Sequence, residues 1–200
     1  YTIIISILII FYFRSYSSLK PLRIFIYEGM GIGFISFWIV TIAIIINVIF
    51  VINSYYLGLL SLFIIIILSL ISFFFGSKIY FKNIHIKSNK ITSNVSFIFI
   101  TDVHLGSNSV KHLKKIISEL KNKSYDFILI GGDLIDSSSF DLSNLKLIKE
   151  NTNCPIYFVT GNHEYYIKNS NSKIETINNI GIKHLSNDNI EVNNINIIGI

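Results

Sequence analysis

The 200-residue chain contains one cysteine, Cys154, so it cannot build an internal disulfide framework, which fits a reducing compartment. Cys154 stands in "TNCPIYF" at the mouth of an apolar run and reads as a small buried residue rather than a nucleophile. Charge is also scarce: 14% of residues are charged against 51% hydrophobic. Mean hydropathy is +0.57. That balance excludes a single ordinary soluble domain, and part of the chain is expected in lipid. The lysines behind the net charge of +5 are scattered singly, without basic clusters or interleaved aromatics. They read as a solvated surface and argue against a nucleic-acid partner. The excess of Ile, Asn and Lys runs through every texture of the chain and reads as coding bias. The chain starts at Tyr1 inside one apolar run and stops at Ile200 inside another, so it is treated as a fragment.

From Tyr1 to Gly76 the sequence is almost continuously apolar, broken by "RSYSSLKPLR" and "NSYY". A helix needs about 20 residues to cross a bilayer. Met30 to Ile52 and Tyr55 to Gly76 are both long enough, and Tyr1 to Phe13 reads as the end of a truncated span. A cleaved signal peptide explains this half less well, since no small-residue cleavage site appears and further spans follow. Arg14, Lys20 and Arg23 mark the first loop as cytoplasmic, the uncharged Asn53 to Tyr56 turn as external, and Lys78 and Lys82 as cytoplasmic again. The expected organisation is a transmembrane region over 1–76 in the cell membrane, contacting its lipids, and a cytoplasmic domain over 77–200. Glu28 lies near the cytosolic interface and is expected to touch headgroups or water.

After Ser77 short apolar runs alternate with polar helical patterns. "IYFKNIHI" and "VSFIFIT" read as strands, and "NSVKHLKKIISEL" puts Val110, Leu113, Ile116, Ile117 and Leu120 on one helical face. "DFILIGG" and "PIYFVTG" are further strands, and Leu142, Leu145 and Ile148 stripe a second helix. "SKIETINNIG" predicts a third helix with a Ser172 to Glu175 capping box and an end at Gly181. "IKHL", "NIEV" and "INIIGI" read as short strands. This alternation predicts an α/β fold, its parallel sheet covered on both faces. His85 and His112 read as surface residues.

One strand sets a chemical question, because "DFILIGGDLID" ends in two glycines followed by the carboxylates Asp133 and Asp136. Carboxylates near a core are costly unless something positive meets them. The other central strands end alike: "TDVHLG" holds Asp102 and His104, and "TGNHEY" holds Asn162, His163 and Glu164. The clusters recur about every 30 residues, the length of a βαβ unit. In an open parallel sheet all three emerge at the carboxyl edge, where ligands bind. On an extended segment Asp102 and His104 would project to one side and grip a cation. Asp133 would converge on them, and Asn162 would offer a neutral oxygen to a second ion. Oxygen and imidazole donors without thiolate suit Mn, Fe, Zn or Mg. Gly106, Gly131, Gly132 and Gly161 flank the clusters, where the chain turns sharply and a ligand approaches the backbone. Helix starts after the first two clusters favour an anionic group.

"DVHLG", "GGDLID" and "GNHE" resemble the D-x-H, G-D-x-x-D and G-N-H-E/D blocks of the calcineurin-like metallophosphoesterases, in the family's order, over Val95 to Ile200. The apolar half is similar to the membrane-anchored phosphodiesterase branch of that family. The resemblance implies a metallophosphoesterase-type α/β sandwich whose C-terminal part is missing. It implies Asp102 and His104 as ligands of a first divalent metal, Asp133 as the bridge, and Asn162 as a ligand of a second. It implies that His163 contacts the phosphate and assists the leaving group, while Asp136 and Glu164 orient histidines. The implied reaction is in-line attack on phosphorus by a hydroxide that the metals activate, with the ions roughly 3.5 to 4 Å apart. The substrate would be a phosphodiester or pyrophosphate, lipid-linked or nucleotide-linked because the site would be held near headgroups. The family's G-H-x-H block has no counterpart here, and His184 in "GIKHLSN" lacks its glycine context. Two alternatives stay open: a nuclease or cyclic-nucleotide phosphodiesterase, with Tyr165 and Tyr166 as the only aromatics beside the clusters, and an inactive membrane-bound binding module.

Overall fold

A computed structural model describes residues 6–7, 20–76, 78–91 and 93–200. The truncated span over Tyr1 to Phe13 and the charged loop at Arg14 fall largely outside the described residues. The chain divides into two compact units, the first ending at Phe81 and the second running from Lys82 to Ile200.

The first unit consists of α1 (Lys20–Phe50) and α2 (Ser54–Gly76) packed on each other. Pro21 stands in the first turn of α1, where its missing N–H breaks no helical bond. Asn53 starts α2, its side-chain oxygen accepting from the Tyr55 N–H at 3.0 Å. Two hydroxyls bond back to their own helix. Thr41 Oγ1 donates to the Phe37 carbonyl at 2.7 Å and Ser61 Oγ to Leu57 at 2.8 Å. Glu28–Phe50 and Ser54–Gly76 are each 23 residues long and apolar enough to cross a bilayer, and their apolar side chains lie almost wholly on the outside.

The second unit is built on a parallel sheet, β1 (Phe97–Ile100), β2 (Phe127–Gly131), β3 (Ile156–Val159) and β4 (Lys183–His184), in that spatial order. Helix α3 (Val110–Leu120) buries Leu113, Ile116, Ile117 and Leu120, which meet Ile128 and Ile130 of β2 on one face of the sheet. Next come a 3₁₀ turn at Leu142–Leu145, continuous with the short α4 (Lys146–Glu150), then α5 (Asn162–Tyr166) and α6 (Ser170–Asn179). The antiparallel hairpin of β5 (Asp188–Val192) and β6 (Ile195–Gly199) closes the chain. Asn193 and Asn194 both take positive φ at its turn, the backbone that a two-residue hairpin requires. On the other sheet face Phe127, Tyr157 and Leu185 form a smaller cluster, with Ile190, Val192 and Ile197 of the hairpin packed against it.

Four expectations change. "IYFKNIHI" forms no strand: residues 79–86 are irregular, and Tyr80, Ile84 and Ile86 are exposed. A strand pattern needs a neighbour for its backbone groups, and none pairs with this segment among the described residues. The stripe of Leu142, Leu145 and Ile148 is split between the 3₁₀ turn and α4. Asp141 caps the start of the 3₁₀ turn, accepting the Ser143 N–H at 3.0 Å. Helix α6 begins two residues before Ser172, with Asn169 as the cap in a left-handed conformation, so no Ser172 to Glu175 box forms. Helical coverage holds on one face only; on the other, Phe97 and Phe99 of the edge strand β1 remain 43% and 61% exposed.

Phe158 is fully buried in β3 between the two layers. Phe158→Ala is expected to destabilise the second unit by about 3–5 kcal/mol, the usual cost of emptying a phenylalanine site. Thermal unfolding followed by circular dichroism checks this.

Candidate metal and phosphate site

Strands β1, β2 and β3 run parallel in register, so their carboxyl ends lie side by side, and each is followed at once by its polar cluster. The first two loops continue the pairing beyond the strands. The Asp102 N–H donates to the Gly132 carbonyl at 3.2 Å, His104 to Asp133 at 2.8 Å, and Leu105 to Leu134 at 2.8 Å. Asp102, His104 and Asp133 all adopt left-handed backbone, with φ of 57°, 49° and 53°. Non-glycine residues rarely do so, and the strain of order 1–3 kcal/mol each concentrates at functional sites.

This geometry corrects one step of the sequence argument. Asp102 and His104 lie beyond the end of β1 in left-handed turns, not on an extended segment. They meet nevertheless, with His104 Nε2 3.5 Å from Asp102 Oδ1. Thr101 Oγ1 donates to the other Asp102 oxygen at 2.8 Å. On the far side of the imidazole, Asp136 Oδ2 lies 3.7 Å from His104 Nδ1. The imidazole is thus flanked by a carboxylate at each of its nitrogens.

His104, Asp133 and His163 each offer a ligand atom within 4.8 Å of the others. The two imidazoles sit edge to face with centroids 4.5 Å apart. Two imidazoles, a carboxylate and the adjacent Asp102 make a nitrogen and oxygen donor set that fits a divalent first-row metal or Mg. Asn162 opens α5 and is exposed beside this group.

Asp136 is nearly buried, and besides facing His104 it accepts the Ser107 N–H at 2.8 Å. Among the described residues the hydrogen bonds of Glu164 go to backbone amides. The residue is fully buried and takes three amides: Gly161 at 2.8 Å, Asp133 at 3.0 Å and Ile135 at 2.9 Å. Burial pushes its carboxyl up, against the pull of those three amides. Sequence reasoning missed this role, although Glu three residues after a strand-ending glycine is the spacing of a helix cap. The segment after Asp136, Ser137 to Ser139, takes the Lys168 N–H on Ser138 Oγ at 2.8 Å. His184 lies in β4, packed at 5.6 Å on the Phe158 ring, and is absent from the group of ligating atoms.

The family model described as calcineurin-like phosphoesterase matches residues 95–199. The chain is 34% identical over 88 residues to an uncharacterized metallophosphoesterase of Campylobacter jejuni, covering 42% of this chain and 24% of that protein. It is 34% identical over 102 residues to an uncharacterized metallophosphoesterase of Helicobacter pylori, covering 48% and 28%. It is 29% identical over 99 residues to a Danio rerio transmembrane protein with metallophosphoesterase domain, covering 46% and 22%. The matches thus span about a quarter of the length of these curated relatives. No solved structure matches the chain.

Proposed function

The chain belongs to the calcineurin-like phosphoesterase family, and on that premise we propose that it is a membrane-anchored, metal-dependent phosphoesterase that hydrolyses a phosphodiester or pyrophosphate bond. The observation that carries this reading is the convergence of His104, Asp133 and His163 at the carboxyl edge of the parallel sheet, with Asp102 beside them. Asp102 and His104 would hold one divalent ion, Asp133 would bridge, and Asn162 would serve a second. Bound ions of this kind supply an acidified water and positive charge at phosphorus. The chain's own residues do the rest. Asp136, which faces His104 Nδ1, would orient that ring, and His163, edge-on to His104, would contact the phosphate and assist the leaving oxygen.

The anchor is inferred from the two apolar helices and from the likeness to a transmembrane relative. We assign 1–76 to the membrane region and 77–200 to the phosphoesterase domain. Lys20, Arg23, Lys78 and Lys82 flank the apolar runs and favour a cytoplasmic catalytic domain. A site tethered near headgroups meets lipid-linked phosphate at high effective concentration, which favours a lipid or nucleotide-linked lipid as substrate.

The test is hydrolysis of bis(p-nitrophenyl) phosphate by the full-length protein in detergent. Turnover is expected with Mn²⁺, to be abolished by chelation and restored when metal is added back. Metal-independent turnover, or none with any divalent ion, would refute the reading. For the anchor, the protein should stay with the membrane pellet after an alkaline wash; release into the supernatant argues against a spanning anchor.

A further inference from the structure

Glu164 and Asp133 grip each other's loops. The Asp133 N–H donates to Glu164 Oε2 at 3.0 Å, while the His163 N–H, next to Glu164, donates to Asp133 Oδ1 at 2.9 Å. Each loop's carboxylate thus accepts a backbone amide of the other loop. The Asp133 carbonyl is held too, accepting the His104 N–H at 2.8 Å. Amide, carbonyl and one carboxylate oxygen of Asp133 are therefore fixed by three partners. Its other oxygen, Oδ2, accepts no hydrogen bond among the described residues and is left for a ligand.

Asp133 needs this grip because its φ of 53° is one that a side chain-bearing residue abandons unless its surroundings enforce it. The same Glu164 oxygen that takes the Asp133 amide also takes Gly161, and its second oxygen takes Ile135 two residues beyond Asp133. A fully buried carboxylate is an expensive way to close a five-residue helix, whereas a Ser or Asn cap at position 161 would close it more simply. Position 161 cannot carry one, because a Cβ there would meet Asp133 Oδ1 at 2.2 Å. The two loops approach too closely for any side chain but one that reaches in from the side.

We propose that Glu164 is a positioning residue for the metal site: its carboxylate holds the left-handed Asp133 so that the Asp133 carboxylate would be available to a cation beside His104 and His163. This rests on the phosphoesterase reading above, since Asp133 must be a ligand for its placement to matter. Two variants separate the role from simple packing. Glu164→Asp keeps the charge but withdraws the carboxylate by one methylene, so it serves Gly161 on its own helix and falls short of Asp133 and Ile135. Glu164→Gln keeps the length and one full acceptor oxygen, which can still serve the Gly161 and Asp133 amides.

The experiment is Mn²⁺ binding to the full-length protein in detergent by electron paramagnetic resonance, with thermal unfolding of each variant alongside. Glu164→Asp is expected to weaken Mn²⁺ binding by about 10–100-fold, as loss of a group that orients a ligand does, and to alter the bound-ion spectrum. Glu164→Gln is expected to retain most of the affinity. Wild-type affinity in Glu164→Asp, or equal losses in both variants, overturns the proposal. Loss of a cooperative unfolding transition in either variant also overturns it, because Glu164 would then serve the fold as a whole. A wild-type protein that binds no Mn²⁺ overturns the phosphoesterase reading and the positioning role together, whereas wild-type binding with indifferent variants overturns the positioning role alone.

Discussion

Asp133→Ala is expected to lower metal-dependent phosphodiester hydrolysis by about a thousandfold or more, the scale on which a group acting directly on developing charge is lost. Asp133 sits where the three strand-end loops meet. Its carboxylate lies within ligand reach of His104 and His163, its carbonyl takes the His104 amide, and its own amide goes to Glu164. Alanine removes the carboxylate and also leaves a Cβ in left-handed backbone, which costs about 1–2 kcal/mol without a side chain to stabilise it. Asp133→Asn separates the two effects, because asparagine tolerates that conformation and retains an acceptor for the His163 N–H. It should keep the wild-type melting temperature while still losing most of the activity. Assays with bis(p-nitrophenyl) phosphate at saturating Mn²⁺ decide the matter; an alanine variant that turns over normally would remove Asp133 from the site.

Gly161→Ala should produce the second largest effect, for a steric reason. The φ of Gly161 is −98°, which any residue adopts, so no left-handed backbone demands a glycine there. Space demands it: an added Cβ would lie 2.2 Å from Asp133 Oδ1 and 2.7 Å from Asp133 N. The second contact is with backbone, so the loops must separate. Overpacking of this kind costs about 1–3 kcal/mol. The displacement falls on the Asp133 carboxylate, and a shift near 1 Å at such a place costs about a hundredfold in rate. Gly181→Ala is the control. Its φ of +99° makes alanine strained, but the nearest atoms belong to the flexible Lys149 side chain at 3.6 Å or beyond. That variant should lose about 1–2 kcal/mol from left-handed strain alone and keep full activity. Equal activity losses in the two glycine variants would mean that the site senses global stability rather than the approach of its loops.

The two glycines show where the sequence could be read and where it could not. At Gly181 the local pattern suffices: a helix ends, a glycine follows, and its N–H closes on Asn178 O at 3.0 Å. At Gly161 the same residue type answers to a loop about 30 positions earlier, and no local pattern carries that information. Asp102 and His104 differ in the same way. Their proximity was legible from spacing, whereas the left-handed turns that produce it come from amide bonds to Gly132 and Asp133 on the neighbouring loop. Glu164 was visible as an acid beside a histidine, but its three amide partners on two loops were not.

By itself the sequence determined the two apolar helices, the three central strands, the amphipathic face of α3 and the gathering of the polar clusters at one sheet edge. Each of these follows from local hydrophobic period, run length and the geometry of parallel crossovers, which act over at most about 30 residues. Only the tertiary structure decided the left-handed backbone of Asp102, His104 and Asp133, the clasp between Asp133 and Glu164, the start of α6 at Ser170 and the exposure of Phe97 and Phe99 on β1. These depend on which neighbour supplies a donor, an acceptor or a covering side chain, and distant segments make that supply only once the strands lie side by side.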